Sequence, residues 1–264
     1  MLDDSRIEHF RTNGLLKLPG FFDAATMPPM REKVWAFLEA RDNVCRNDPA
    51  SWPAITNPPA GAARPTKLIR LNTDPAFNVL DTTALLDTLR ALAGSDVTPF
   101  PGAGHRQVLF TYPETLEWAL PHNMWHADLP HAIGRKAPTG LQAFLCLDEV
   151  RPTGGGTIVL SGSHRALVNQ SGQAGQTHLP SSAFKKWLAR KSDYVSALFA
   201  KDTPNRNRFL NQPGMFDEIE LQPVELIGAP GDLYIMDMRC LHSLAPNAQN
   251  TPRIMLTERF QVAS

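Results

Sequence analysis

The chain is short of several things, and each shortage narrows what it can be. Cysteine occurs 3 times in 264 residues, at Cys45, Cys146 and Cys240, far apart and never as a CxxC pair. That excludes a thiolate zinc ribbon and a disulfide-stapled fold. It fits a protein kept in a reducing compartment, and a cytoplasmic location is the expectation. Charge of one sign is lacking too, because 26 Lys and Arg balance 26 Asp and Glu. Without a basic excess there is little to displace counterions from a phosphate backbone, so no nucleic-acid partner is expected. The densest basic run, Lys185, Lys186, Arg190 and Lys191, is interleaved with Trp187 and Leu188 and reads as the wet face of an amphipathic helix. No apolar run is long enough to cross a bilayer, and the opening MLDDSRIEHF is acidic with no apolar signal core, so no membrane partner is expected either. Internal repeats and low-complexity tracts are absent. A small molecule is the partner class that remains; the oligomeric state, monomer or homodimer, stays open.

What is present is a chain with 42% hydrophobic residues, enough for a sizeable core within a single domain over 1–264. Residues 1–96 are expected to be mostly helical. Asp3 or Asp4 can cap a first helix that Gly14 ends, and Leu15 to Phe22 follows as an extended stretch. Asp23 can cap a second helix, along which Met27, Met30, Val34, Phe37 and Leu38 recur at helical spacing. Residues 42–66 are rich in Pro, Asn and Ala and are expected to be loop; Lys67 to Asn72 is a candidate strand, and a third helix is expected from Asp81 to about Leu92. From about residue 100 the pattern changes to short runs of β-branched, aromatic and aliphatic residues between turn signals: Arg106–Tyr112, Leu141–Leu147, Thr157–Leu160, Val224–Ile227, Leu233–Met238 and Arg253–Val262. Many short strands after a helical start imply an α+β, mainly β protein, a sandwich or barrel with N-terminal helices on one face. The long connection between His164 and Val224 carries one candidate helix, Ser182 to about Ala200. A lid insertion over 165–215 is its expected role, because long loops in compact domains are usually functional.

Three histidine-bearing motifs sit in the β-rich half. Trp125-His126-Ala127-Asp128 sets an imidazole and a carboxylate two residues apart, and on a strand i and i+2 point to one side. His242 follows about a hundred residues later, at the expected end of a strand. Two His and one carboxylate form a facial triad, which leaves three positions open on Fe(II) for a bidentate cosubstrate and O₂. A hydrogen-bonded core histidine followed by a turn aspartate would give the same triplet. Arg253, eleven residues past His242, is the further element. Turn residues between them would bring the chain back, setting the arginine beside the ligand strand, where its planar fork suits a carboxylate in two-point fashion. A surface arginine at a strand start is the other reading.

Several stretches resemble the phytanoyl-CoA dioxygenase family of iron(II)/2-oxoglutarate oxygenases, over nearly the whole chain. They are Gly14-Leu15-Leu16-Lys17-Leu18-Pro19-Gly20-Phe21-Phe22, His126-Ala127-Asp128-Leu129, Gly155 to His164 (GGTIVLSGSH), and Gly231-Asp232-Leu233 leading to His242 and Arg253. The resemblance implies a double-stranded β-helix core of the jelly-roll or cupin-like kind, Fe(II), 2-oxoglutarate and O₂. It implies oxidation of a small organic molecule, hydroxylation by default, with release of succinate and CO₂. His126, Asp128 and His242 would hold iron, Arg253 the far carboxylate of 2-oxoglutarate, and Gln107 and Thr157 further cosubstrate contacts. Gly162-Ser163-His164 would be a turn shaping the sheet, with His164 the rival to His242.

Two positions depart from the family pattern. Phe144 stands where a tryptophan is common, and Ser243 comes one residue earlier than the usual serine after the distal histidine. Asp128 argues against halogenation, which needs a small residue there. The competing functions are a metal-dependent hydrolase on the same ligands and a non-catalytic jelly-roll binding protein. Trp52, Phe184 and Trp187 are candidate pocket walls or ordinary packing, and 42–66 and 165–215 are the expected substrate-shaping segments.

Overall fold

The computed structural model describes residues 2–55, 66–102, 105–128, 131–132, 137–169 and 178–263. Helix α1 (Asp4–Asn13) starts where the Asp3 carboxylate accepts the Arg6 N–H at 2.8 Å, and it ends at Gly14, whose φ of 68° is the left-handed cap position. Strand β1 (Leu15–Leu18) follows. Asp23 caps only a 3₁₀ turn, Ala24–Thr26, and α2 (Pro28–Asp42) begins at two prolines, which suit the first helical positions because their missing N–H is unpaired there anyway. Strand β2 is confined to Thr66–Lys67, shorter than the expected Lys67–Asn72 run. The chain then coils into a 3₁₀ turn, Ile69–Leu71, which buries Leu68 and Leu71 three residues apart and leaves Ile69 exposed. Helix α3 (Thr83–Ala93) is capped by Thr82 and buries Leu85, Leu89, Leu92 and Ala93 on one face.

The β-rich half runs through β3 (Val97–Pro99), β4 (Arg106–Thr111), β5 (His131–Ala132), β6 (Gly140–Cys146) and β7 (Ile158–Ser161). Next come α4 (Ser163–Asn169), β8 (His178–Leu179), α5 (Ser181–Lys191) and α6 (Asp193–Phe199). The expected helix from Ser182 to Ala200 is therefore two. Ser192 breaks it in an extended conformation, and its hydroxyl accepts the Val195 N–H and starts α6. The chain ends with β9 (Gly214–Phe216), β10 (Ile219–Glu225), β11 (Leu233–Asp237), β12 (His242–Ser243) and β13 (Arg253–Val262).

Two antiparallel sheets face each other as a jelly roll. The larger has the order β1-β11-β6-β13-β4-β2, with β3 also on β13; the smaller is β12-β7-β10-β9. Alternation along the strands sorts the core into layers. Leu141, Ala143 and Leu145 of β6, with Ile254, Leu256 and Phe260 of β13, turn outward to a cluster shared with α1–α3. The outer face of the smaller sheet, including Ile158, Leu160 and Leu221, packs on Phe184 and Leu188 of α5 and Val195 and Leu198 of α6. Between the sheets lie Phe144, Cys146, Val159, Tyr234, Met236 and Met255. Helices thus cover both outer faces, the N-terminal set on the larger sheet as expected and the later set on the smaller.

Candidate metal centre

The His126-Ala127-Asp128 segment is held by its neighbours on the opposite face. Trp125 and Ala127 are buried with the α5–α6 cluster, where the Trp125 ring lies 5.5 Å from Phe199 and its Nε1 donates to the Pro121 carbonyl at 2.9 Å. The Ser181 hydroxyl accepts the Ala127 N–H at 2.7 Å. With the odd-numbered residues anchored outward, His126 and Asp128 point to the interior. The segment is not a full strand. One residue, His126, bridges His242 by two main-chain hydrogen bonds of 2.9 and 2.8 Å, which extends the smaller sheet by one rung. His242 opens β12 rather than closing a strand, and Met124, just before the motif, has a φ of 60°, a left-handed conformation that is rare for a side chain of its kind.

The three side chains converge. One ligand atom from each of His126, Asp128 and His242 lies within 4.8 Å of the others, the one such cluster among the described residues. His126 Nε2 is 3.6 Å from Asp128 Oδ1, and His242 Nε2 is 3.8 Å from Asp128 Oδ2. Each imidazole is oriented through its other nitrogen: Nδ1 of His126 donates to the Met124 carbonyl at 2.7 Å, and Nδ1 of His242 to the Cys240 carbonyl at 3.2 Å. That leaves both Nε2 lone pairs facing the cluster, the usual arrangement behind a metal-binding histidine. Burial pushes the His242 imidazole down to about 4, with Asp128 opposing, so at neutral pH the ring is neutral and able to ligate. Burial alone would raise the Asp128 carboxyl; the charges of His242 and Arg259 outweigh it and hold the group below the ordinary range.

A cavity of about 430 Å³ opens onto the two histidines. It is lined by Gln107 and Leu109 of β4, Gln142 and Phe144 of β6, Thr157, and Thr257 and Arg259 of β13, with Leu68, Ile69, Asn72, Met124 and Leu244 at its sides. Gln107 and Thr157 therefore share the cavity with the two histidines of the triad. The sheet register explains the row: Thr257 pairs Gln107 on one side and Phe144 on the other. The Ser243 hydroxyl is spent on the Asn123 carbonyl at 2.9 Å, and Leu244 reaches the cavity instead. Trp52, Phe184 and Trp187 are not among the lining residues. Trp52 stacks on Trp35, and Phe184 and Trp187 pack with one another and with Phe216. The described walls come from 68–72 and the strands rather than from the 42–66 and 165–215 segments; 56–65 and 170–177 lie outside the described residues.

Arg253 does not sit beside His242 in one sheet, as a simple hairpin would place it. β12 belongs to the smaller sheet and β13 to the larger, so the arginine faces the inter-sheet interior from the opposite wall. It is 2% exposed. Its Nη2 donates to Thr111 Oγ1 at 2.8 Å, while its buried Nε has no hydrogen-bond partner. Burial pushes the guanidinium down to about 10, with Glu114, Cys146 and Glu225 acting against the shift, so it stays charged at neutral pH. A buried cation with an unanswered donor is expensive to keep.

His164 lies elsewhere. Its Nε2 is 3.0 Å from the Arg11 carbonyl and its Nδ1 3.7 Å from Cys240 Sγ. It borders a separate cavity of about 480 Å³ with Arg165, Asp237 and Arg239. The turn it belongs to is a structural tie: the Ser163 hydroxyl donates to the Leu160 carbonyl and accepts the Leu241 N–H, next to His242. Arg259, Gln142 and Thr257 are cavity residues that the motif reading did not single out. The signal was available, since Arg253, Met255, Thr257 and Arg259 share one face of a strand at period two.

A jelly roll whose interior carries two imidazoles and a carboxylate aimed at one point, opposite a buried arginine, has the architecture of a metal-dependent oxidoreductase. The sequence profile of the phytanoyl-CoA dioxygenase (PhyH) family matches residues 10–255, and the chain belongs to that family of iron(II)/2-oxoglutarate-dependent enzymes. No curated protein sequence matches it. Among solved structures it is similar to AviO1 from Streptomyces viridochromogenes Tue57, at 18% identity over 100% of this chain and 97% of that one, with a TM-score of 0.58. It is similar to the epimerase SnoN in complex with Fe³⁺, alpha ketoglutarate and nogalamycin RO, at 17% identity over 98% and 83% of the chains, TM-score 0.54. HygX from Streptomyces hygroscopicus with nickel and 2-oxoglutarate bound matches at 14% identity over 100% and 88%, TM-score 0.55. At these identities the likeness establishes the fold.

Proposed function

We propose that the chain hydroxylates a C–H bond of a small organic molecule, with Fe(II) held by His126, Asp128 and His242 and with 2-oxoglutarate as cosubstrate. The observation that carries this is the convergence of three ligand atoms within 4.8 Å on the inside of the jelly roll. Two nitrogen donors and one carboxylate on one face suit Fe(II), with the remaining positions left for cosubstrate and O₂. The orphaned Nε of Arg253 fits the same group: a buried guanidinium with an unmatched donor suits the far carboxylate of 2-oxoglutarate. Similarity to SnoN, solved with Fe³⁺ and alpha ketoglutarate, and to HygX, solved with nickel and 2-oxoglutarate, supports the pairing. When bound, iron and cosubstrate supply O₂ activation, 2-oxoglutarate leaving as succinate and CO₂ while one oxygen atom enters the substrate.

The residues of this chain do the rest. The Met124 and Cys240 carbonyls fix both imidazole tautomers, so that each Nε2 is a lone-pair donor. Gln107 and Thr157 offer polar contacts to the cosubstrate within the same cavity. Leu68, Ile69, Leu109, Met124, Phe144 and Leu244 offer an apolar surface that orients substrate and excludes water. A hydrolase built on the same ligands would leave Arg253 without a task.

The test is anaerobic titration of the protein with Fe(II) and then 2-oxoglutarate, followed by the visible charge-transfer band of the chelate. The band is expected in the wild type and absent in His126→Ala, Asp128→Ala and His242→Ala. Arg253→Met should weaken 2-oxoglutarate binding by roughly 30-fold or more, the scale for removing one partner of a buried charge pair. It should leave Fe(II) affinity nearly unchanged and cost the unloaded protein little in Tm, because the buried guanidinium there has no carboxylate within bonding distance among the described residues and its hydrogen bond to Thr111 Oγ1 is offset by an unanswered Nε. Fe(II) binding without any band would refute the cosubstrate assignment.

A further inference from the structure

Arg259 is the second cation on the interior face of β13, two residues beyond Thr257, and it touches a member of the triad itself. Its Nε donates to Asp128 Oδ2 at 2.6 Å, with the two side chains 21% and 11% exposed. The other carboxylate oxygen, Oδ1, lies 3.6 Å from His126 Nε2, while Oδ2, the one Arg259 holds, is 3.8 Å from His242 Nε2, so both oxygens border the metal position. β13 pairs with β6 on one side, which sets Arg259 opposite Gln142 in the centre of the larger sheet. Asp128 comes from the loop on the other wall, and its backbone N–H is tied to the Met238 carbonyl at 3.3 Å. The contact therefore spans the mouth of the jelly roll between two independently anchored segments.

A carboxylate can clasp a metal with one oxygen or with both. An octahedral ion held by two imidazoles and one oxygen keeps three positions, two for a keto acid and one for O₂; a second carboxylate oxygen would take one of the three and compete with the keto acid for its pair. Resting on the proposed function above, we infer that Arg259 is a positioning residue that claims Oδ2 of Asp128 and restricts the carboxylate to single-oxygen ligation through Oδ1. A short, charge-assisted bond of this kind competes with a metal for that oxygen in a way that a neutral donor does not. The plainer role for the contact, balancing the charge of a buried carboxylate, predicts a different outcome in the same experiment.

That experiment uses Co(II), whose visible spectrum reports coordination, in wild type, Arg259→Met and Arg259→Gln. Co(II) affinity, the spectrum of the Co(II) protein, 2-oxoglutarate affinity of the Co(II) protein and Tm are measured on each. Arg259→Met should keep Co(II) affinity within about threefold, because a second carboxylate oxygen replaces what the lost contact gave, change the spectrum, and weaken 2-oxoglutarate binding about tenfold or more, because the keto acid then competes with that oxygen. Arg259→Gln, with an amide donor left, should recover part of that loss. Wild-type spectrum and 2-oxoglutarate affinity in both variants would overturn the inference, and so would a parallel loss of Co(II) affinity, 2-oxoglutarate affinity and Tm. Should Arg259→Met not fold, the same two readouts on Arg259→Gln decide the question. Failure of the wild type to bind Co(II), or retention of binding in Asp128→Ala, would instead remove the metal site and this inference with it.

Discussion

Glu225 shows how single residues around this site set bulk properties. It lies at the end of β10, where its Oε2 accepts the Thr153 N–H at 2.9 Å. Burial pushes its carboxyl up from 4.5 to about 7, although the backbone N–H groups of Thr153 and Gly156 and the charge of Arg253 pull the other way. The folded state then holds the proton more tightly than the unfolded chain. Its contribution to stability is complete below about pH 4.5 and is lost as pH rises through about 7. Glu225→Gln should remove that slope. From pH 5 to 8 the wild type should lose at most about 3 kcal/mol relative to the variant, read from urea unfolding at each pH. At this scale the triad was legible in the sequence, because ligand chemistry restricts the residue types and HxD spacing restricts the side. Arg259 was not legible as a site residue. Nothing in its type distinguishes it from a surface arginine until the strand it stands on is known to be central.

Elements decide where those residues go. The turn from β7 into α4 depends on Gly162, at a φ of 82°, where an added Cβ would stand 2.1 Å from the Glu220 carbonyl oxygen on β10. Gly162→Ala should destabilise by more than about 1 kcal/mol from the backbone conformation alone. The overlap adds about 1–3 kcal/mol more, measurable as a lower urea midpoint at unchanged slope. Metal affinity should fall as well, because Ser163 in the same turn holds the Leu241 N–H beside His242. Element existence was largely readable from periodicity, as in α1, α3 and β13. The misses share a cause: one local signal overridden by a stronger one a few residues away. Asp23 caps a 3₁₀ turn because Pro28 and Pro29 fix the helix start, and Ser192 divides the 181–199 segment because its hydroxyl captures a backbone N–H.

Over the whole molecule, the three apolar clusters fill the space between helices and sheets, and each is built from side chains that ligate no metal. Chelation should therefore leave the protein folded, unlike a zinc finger. Adding Fe(II) under anaerobic conditions at roughly 100 times its dissociation constant should add about 2.7 kcal/mol, or about 5–10 °C in Tm for a chain of this size, and 2-oxoglutarate at the same excess should add a similar increment. No shift in a calorimetric scan would contradict the ligand assignment. The sequence by itself determined the ligand types, the helical start and β-rich remainder, and the face each strand residue takes, because those follow from side-chain chemistry and from the periods of the backbone. Only the tertiary structure decided that His242 and Arg253 stand on opposite sheets, that Arg259 meets Asp128, and which side chains wall the cavity. The Arg259–Asp128 contact joins residues 131 positions apart, and all three outcomes depend on the order and register of strands, which no local pattern specifies.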